Sequence, residues 1–347
     1  MNLLKLHSRN LILICGITAS LFLPSVALAE KSQKVEVDVS NFTRAESDLQ
    51  MKGYIKKAGG IGKFLHMRKV YPVKNQTTIR GNRDTLYSLG VFDLSTPLTI
   101  TMPDSPKRFQ SMMYCSQDHS VFPAEHKGGT FEFTKEKIGT RYAFVIFRTF
   151  VDPNDPKDVE AAHKLQDKIK FKQASAGKFE IPDWDEKSLL KIRKAINVLG
   201  AGINDFKGYF GINGEEDSLK HLLGTAYGWG GNREDDAMYV NFVTNKNDGK
   251  TAYVLNVKDV PVDGFWSVSV YNADGFFEKN DLNAYVYNNV TAKPNKDGSF
   301  TIHFGGDPRS LNSLPITKGW NYVARLYQPH KEILDGTWIF PSATPVK

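Results

Sequence analysis

The feature that most constrains the fold of this chain is a hydrophobic period that changes twice along its 347 residues. Residues 92–149 are typical of strands: Leu98–Met102 alternates with period two, and Tyr142–Arg148 is a continuous run of aromatic and β-branched residues that ends in an arginine. From 155 to 227 the apolar residues recur at near-helical spacing, and from 239 onward the alternation returns. This order predicts two β-rich parts separated by a helical segment.

The helical segment contains three predicted helix starts. Asp155 followed by Pro156 supplies an N-cap and a proline at the first helical position. A second helix is predicted after Trp184-Asp185. A third is predicted over Glu215–Tyr227, where acidic residues in the first turn suit the helix dipole.

Turn residues divide the last third of the chain into short strands. Asn247-Asp248-Gly249 and Asp297-Gly298 each lie between two alternating runs and predict β-hairpins. Short strands joined in this way favour a β-sandwich of jelly-roll type. The predicted fold class is α+β, with a loose N-terminal arm (30–59, one helix near 44–56), a mixed β-rich N-terminal domain (60–154), a helical middle segment (155–227) and a C-terminal antiparallel jelly-roll-type β-sandwich (228–345).

The start of the chain has the pattern of a targeting segment. Lys5 and Arg9 precede the apolar run Leu11–Leu23, and small residues stand at Ala27 and Ala29, the positions that a signal peptidase recognises. We therefore predict a signal peptide over residues 1–29, since the apolar run is short for a membrane span. The mature protein is expected to be soluble in the periplasm or outside the cell, with no stable membrane insertion.

Charge and cysteine content argue against two classes of function. The formal net charge is +7, but acids and bases are mixed along the chain. This predicts a slightly basic solvated surface and no nucleic-acid partner. Once residues 1–29 are removed, Cys115 is the one cysteine left, so no intramolecular disulfide can form. Its apolar neighbours predict a buried small hydrophobe, not a nucleophile.

Common catalytic motifs are missing from the sequence. It contains no G-x-S-x-G nucleophile elbow, no H-E-x-x-H, no P-loop and no C-x-x-C. No two histidines stand at a metal-ligand spacing such as H-x-H. We therefore expect no cofactor and no metal. The candidate catalytic bases are Asp84, in a polar run before a strand, and His119, for which an ordinary turn histidine is the competing explanation.

A group of polar residues lies at strand ends in both β-rich parts. Alternation places Arg148 at the end of an apolar strand face, where a buried arginine needs a partner such as Asp84 or a bound anion. In the alternating run Asn321–Tyr327, Arg325 shares a face with Asn321, Val323 and Tyr327. An interdomain network of salt bridges and hydrogen bonds is the competing explanation. The candidate ligand-binding residues are Arg83, Asp84, Tyr87, Arg148, Trp266, Asn272 and Arg325.

Several long motifs resemble a pair of bacterial domain families. Residues 80–88 (RGNRDTLYS), 117–119 (QDH) and 139–142 (GTRY) resemble the domain of unknown function 1254. Residues 227–232 (YGWGGN), 262–272 (VDGFWSVSVYN) and 319–322 (GWNY) resemble its usual C-terminal companion, the domain of unknown function 1214. The matches span about 60–345. The resemblance implies a mixed first domain, a jelly-roll second domain and export, and it implies no reaction.

The leading functional hypothesis is a binding protein that holds a small amphipathic or anionic ligand in a cleft. One alternative is a hydrolytic enzyme of the cell envelope or the environment, with Asp84 or His119 as its base. Another is a structural or self-assembling jelly-roll protein that forms homo-oligomers. A cleft lined by a carboxylate and a histidine would favour the enzyme, whereas a flat apolar patch would favour assembly.

Export leads to a first prediction. In a host that secretes the protein, the mature chain should begin at Glu30, because Ala27 and Ala29 satisfy the cleavage rule. N-terminal sequencing of the soluble protein measures this directly. An intact Met1 in that fraction would contradict the assignment.

Overall fold

The structure, a computed structural model, describes residues 34–76, 78–200, 202–203, 206–212 and 214–346. The predicted signal peptide lies outside the described residues. In chain order, the elements of the first half are α1 (Phe42–Ala58), β1 (Phe64–His66), β2 (Thr85–Asp93), β3 (Leu98–Met102), β4 (Gln110–Ser116), β5 (Gly129–Phe133), α2 (Lys135–Ile138), β6 (Tyr142–Phe150), α3 (Pro156–Asp167) and β7 (Lys170–Gln173).

The second half continues from two helices into a series of strands. Its elements are α4 (Glu186–Leu199), α5 (Ser218–Gly228), β8 (Ala237–Phe242), β9 (Tyr253–Val257), β10 (Trp266–Tyr271), β11 (Val286–Asn288), β12 (Phe300–Phe304), β13 (Ser313–Leu314), β14 (Asn321–Tyr327), α6 (Lys331–Leu334) and β15 (Thr344–Pro345). The predicted α+β class is confirmed.

The first half is built on a four-stranded sheet in the order β1-β2-β6-β4, with antiparallel neighbours. β6 carries large apolar residues on both of its faces and is buried along its whole length. One face packs against a smaller sheet in the order β5-β3-β7 through residues such as Phe147 and Phe133. The other face, which includes Phe144 and Ile146, packs beneath α1 and Phe210.

The second half is a sandwich of two four-stranded sheets, in the orders β11-β10-β14-β8 and β13-β12-β9-β15. Alternating residues of the two sheets, among them Trp266, Tyr322 and Phe304, form the core between them. This is the sandwich that the sequence predicts. One strand pair differs from the predicted antiparallel arrangement: β12 and β13 run parallel over two residues.

The two predicted hairpins are wrong. β8 pairs with β14, whereas β9 pairs with β12 and β15, so the turn at Asp248 joins strands of opposite sheets. The turn at Asp297 likewise precedes β12, while β11 pairs with β10. Both turns do form locally, because each aspartate accepts backbone N–H bonds and the next residue, Gly249 or Gly298, has a positive φ.

The helices begin at capping residues. Asp155 accepts a hydrogen bond from the backbone of Lys157 (2.9 Å), and Asp185 accepts one from Ser188 (3.1 Å), as the predicted starts require. The third helix, α5, begins a few residues later than predicted, after the cap Asp217.

Two segments differ from the predicted arm and helical segment. Helix α1 is longer than predicted, and Phe42, Ala45 and Met51 are buried, so residues 42–58 are packed and do not form a loose arm. The segment predicted to be helical also contains β7, which pairs with β3 and completes the smaller sheet of the first half. Among the described residues, no helix is long and apolar enough to cross a membrane.

The environment of Cys115 leads to a second prediction. This cysteine is fully buried in β4, and burial raises the pKa of its thiol to about 12. In a chain carrying Cys15→Ser, a disulfide reagent at pH 8 should therefore leave the folded protein unmodified and label it rapidly in guanidinium. Absorbance of the released thiolate reports the rate. Fast labelling of the folded protein would contradict the buried position.

Candidate functional site

A cleft of about 380 Å³ opens between the first sheet and the sandwich. Its walls are formed by side chains of α1, β2, β6, β8 and β14, together with two loops, residues 78–82 and 228–231. The lining residues include Tyr54, Lys57, Leu65, Met67, Arg80, Tyr87, Leu89, Phe144, Ile146, Arg148, Phe206, Phe210, Tyr227, Trp229, Tyr239, Asn241, Val323 and Arg325.

Strand alternation explains the first wall. Phe144, Ile146 and Arg148 are spaced two apart on β6, so they share one face, as predicted. In the antiparallel register Tyr87 lies opposite Arg148, and Leu89 lies opposite Ile146. The wall is therefore apolar along most of its length and ends in one guanidinium group.

Arg148 connects this wall to the loop after α5. It is only 5% exposed, and its guanidinium donates to the carbonyl oxygen of Gly230 (2.8 Å) and to Oδ1 of Asn232 (2.7 Å). The carbon Cζ of Arg148 lies 5.7 Å from the ring centre of Tyr87. Burial acts to lower the pKa of Arg148, but nearby tyrosines, Tyr87 first, raise it overall, so the group stays charged.

The opposite wall comes from the sandwich. Tyr239 lies opposite Arg325 in the register of β8 and β14, and Asn241 lies opposite Val323. Burial raises the pKa of the Tyr239 hydroxyl, which accepts a hydrogen bond from Asn232 (2.9 Å). Tyr239 is therefore a neutral phenol at physiological pH.

Arg325 connects the second wall to loop 78–82. Its guanidinium donates to Oγ of Ser269 (2.9 Å), to the hydroxyl of Tyr271 (2.7 Å), and to the carbonyl oxygens of Arg80 (2.8 Å) and Gly81 (3.3 Å). The loop also packs closely, because a Cβ atom at Gly81 would lie 2.3 Å from the ring of Tyr71.

The charges that line the cleft all have the same sign. Its basic residues are Lys57, Arg80, Arg148 and Arg325, and its described lining includes no aspartate, glutamate or histidine. Neither Arg148 nor Arg325 forms a salt bridge with a described carboxylate. Four cations and no anion in the described lining make the cleft favourable for a negatively charged group.

Part of the cleft lining is aromatic. The ring centres of Tyr54 and Phe144 lie 4.9 Å apart, and those of Phe144 and Trp229 lie 4.8 Å apart. Trp229 is held in place by a hydrogen bond from its indole N–H to Oγ of Ser47 (2.9 Å). Such stacked rings offer a flat apolar surface to a ligand.

Asp84 does not pair with Arg148, so this part of the sequence prediction is wrong. Its carboxylate is buried and accepts hydrogen bonds from Ser267 (2.7 Å) and Asn288 (3.1 Å), both of which belong to the sandwich. Burial raises the pKa of Asp84, while Arg325 acts in the opposite direction. Asp84 thus joins the two halves behind the cleft and does not line it.

His119 also lies behind the cleft. It is fully buried, its Nε2 accepts from the backbone N–H of Gly230 (2.9 Å), and its ring stacks on Trp229. Its Nδ1 therefore carries the proton and donates to Oγ1 of Thr225 (2.9 Å), whose hydroxyl donates to the carbonyl of His221. Burial lowers the pKa of His119 to about 3. His119 positions the residues that line the cleft.

Three further predicted ligand residues are not part of the cleft lining. Arg83 donates to the carbonyl of Tyr71 and lies over the ring of Tyr285. Trp266 is in the sandwich core. Asn272 closes a turn by accepting from the backbone of Phe276 (3.0 Å). Tyr87, Arg148 and Arg325 are the predicted residues that the structure brings together at the cleft.

Sequence reasoning missed two of the cleft's basic residues, Lys57 and Arg80, and its aromatic end around Trp229. Arg80 and Trp229 both lie inside the motifs that carry the family resemblance. The available signals were the arginine before Gly81 and the aromatic residue among glycines 228, 230 and 231, since glycine allows close backbone approach. Lys57 gave no signal, because it is an ordinary exposed lysine of a helix.

Comparison with known families supports this architecture. The family model described as protein of unknown function DUF1254 matches residues 61–173, and the model described as protein of unknown function DUF1214 matches residues 237–331. The chain pairs a DUF1254 domain with a DUF1214 domain. The DUF1254 match extends through α3 and β7, consistent with the position of β7 in the smaller sheet of the first half. No curated protein matches the chain.

Two crystal structures resemble this DUF1254–DUF1214 protein. The VPA0106 protein from Vibrio parahaemolyticus superimposes with a TM-score of 0.65 at 18% identity, over 89% of this chain and 98% of that one. An uncharacterized protein from Burkholderia cenocepacia gives a TM-score of 0.49 at 14% identity, over 89% and 87% of the two chains. The first likeness establishes a shared fold.

The buried histidine leads to a third prediction. The pKa of His119 is about 3 in the folded state and near 6.5 when unfolded, so the unfolded chain binds the extra proton between these values. Stability should therefore fall as the pH decreases below about 6.5. Relative to His119→Gln, the wild type should lose about 2 kcal/mol of unfolding free energy between pH 7 and pH 5.

Unfolding of the two proteins in urea at each pH measures this difference. The protonation of all other groups contributes equally to both proteins and cancels. A difference that stays constant with pH would mean that His119 has the same pKa in the folded and the unfolded protein, and would contradict the prediction.

Proposed function

We propose that this protein binds a small amphipathic anion in the cleft between its two domains. The observation that carries the proposal is the composition of the cleft: four basic side chains line it, and its described lining contains no carboxylate. An anion placed there would experience attraction from several sides in a partly dehydrated setting, where such interactions are stronger than in water.

The apolar part of the lining defines the rest of the ligand. Tyr54, Phe144 and Trp229 stack at one end, and Leu89 and Ile146 continue the apolar wall toward Arg148. A ligand that fits both parts has an apolar body and a single anionic group at one end. The volume of about 380 Å³ is at the low end of small-molecule sites.

The hydrolytic alternative receives no support from the same geometry. Its two candidate bases, Asp84 and His119, are both buried behind the cleft, and each already has two side-chain hydrogen bonds. Neither is within the lining where a substrate would lie. The assembly alternative stays a sequence-based hypothesis.

Export is part of the proposal. The signal-peptide pattern of residues 1–29 supports a periplasmic or secreted binding protein. In those compartments a receptor for amphipathic anions would meet its ligand free in solution.

A fourth prediction tests the preference for anions. Isothermal titration calorimetry at pH 7.5 should show that decanoate binds the purified protein, whereas decylammonium, with a similar apolar body and the opposite charge, does not. The reason is that the charged residues of the described lining are all basic. Equal binding of both probes, or of neither, would contradict the proposed function.

A variant that fills the cleft supplies the control. Leu65→Trp adds volume at a lining position and should abolish decanoate binding. Leu190→Trp makes the same change on the outer face of α4, where Leu190 is 56% exposed, and should leave binding intact.

A further inference from the structure

We propose that Arg80 is the residue that binds the anionic group of the ligand, an inference that rests on the proposed function and assigns the head-group position within that cleft. The two arginines that the sequence singles out, Arg148 and Arg325, use their guanidinium groups mainly to hold loops. Arg148 bonds to Gly230 and Asn232, and Arg325 bonds to the backbone of residues 80 and 81 and to two side chains.

Arg80 is different, because its side chain has no such partner among the residues that the structure describes. It lines the cleft, forms no salt bridge among the described residues, and its Nε atom is buried without a hydrogen-bond partner. A buried donor on a charged group that lacks an acceptor is unfavourable unless a ligand supplies one. A carboxylate would do so, since a guanidinium group can donate to both of its oxygens.

The backbone at Arg80 supports the same assignment. Its φ angle is +52°, in the left-handed region that favours glycine and is uncommon for other residues. The backbone is fixed from two sides: the N–H of Arg80 donates to the carbonyl of Gly275 (2.7 Å), and its carbonyl accepts from Arg325 (2.8 Å). Strain that the surroundings impose on a residue is typical of binding and catalytic positions.

The structure therefore assigns separate tasks to the basic residues of the cleft. Arg325 holds loop 78–82 in a conformation that points an unpaired arginine into the cleft. Lys57 supplies a second cation on α1, where its Nζ lies 5.5 Å from the ring centre of Tyr54. The ligand that fits is a monoanion with two acceptor oxygens, such as a carboxylate, attached to an apolar body.

The test replaces Arg80 by residues that tolerate its positive φ angle, so that the side chain is lost while the backbone conformation is kept. Arg80→Gly removes the side chain and suits the positive φ, so the ligand-free protein should melt within about 2 °C of the wild type, or higher. Its affinity for decanoate should fall by about tenfold or more, the effect of losing a charge-assisted hydrogen bond. Arg80→Asn, which also tolerates this conformation, should behave in the same way.

Arg309→Gln is the matched control for the lost charge, because Arg309 is exposed and pairs with Asp307 away from the cleft. It should leave decanoate affinity unchanged. Calorimetry measures affinity, and melts without ligand measure stability.

The outcomes separate the two proposals. If wild-type protein prefers decanoate over decylammonium and both Arg80 variants bind decanoate equally well, the assignment to Arg80 is overturned and the proposed function stands. If both variants instead melt many degrees lower and bind with unchanged affinity, Arg80 is a structural residue and the assignment is also overturned. If the wild type shows no preference for the anion, the proposed function itself fails.

Discussion

The cleft depends on two buried arginines, each of which bonds to the backbone of a loop that belongs to another part of the chain. Arg148, on β6 of the first sheet, holds Gly230 of the loop after α5. Arg325, on β14 of the sandwich, holds the carbonyls of Arg80 and Gly81 in the loop before β2. Each arginine thus donates to carbonyl oxygens of a loop instead of to a carboxylate, so these bonds leave its positive charge in place.

This arrangement has an energetic reason. A buried guanidinium group must have its N–H donors satisfied, and backbone carbonyls satisfy them without neutralising the charge. Had Asp84 paired with Arg148, the charge of one of the four basic residues of the cleft would have been neutralised. The carboxylate of Asp84 instead accepts from the uncharged side chains of Ser267 and Asn288.

Three features could be predicted from the sequence, because each depends on local periodicity or capping chemistry. They are the fold class, the helix starts at Asp155 and Asp185, and the shared face of Phe144, Ile146 and Arg148. The hairpins at Asp248 and Asp297 could not, because turn residues fix a local bend and do not determine which sheet the next strand joins. The pairing of Asp84 failed for a similar reason: alternation gives the face of a side chain but not the partner from a distant element. The place of Arg80 in the cleft lining was missed because it depends on a backbone conformation that only the assembled loop imposes.

The hydrogen bonds of Asp84 also show that the two family domains depend on each other for buried contacts. DUF1254 and DUF1214 are separate units of sequence, yet residues Lys34–Lys347 form one compact unit. Cut between the families, the first half would leave Asp84 without its donors, and the second would expose Arg325 without the carbonyls that it binds. The cleft therefore takes lining residues from both family domains, and neither domain taken alone would form it.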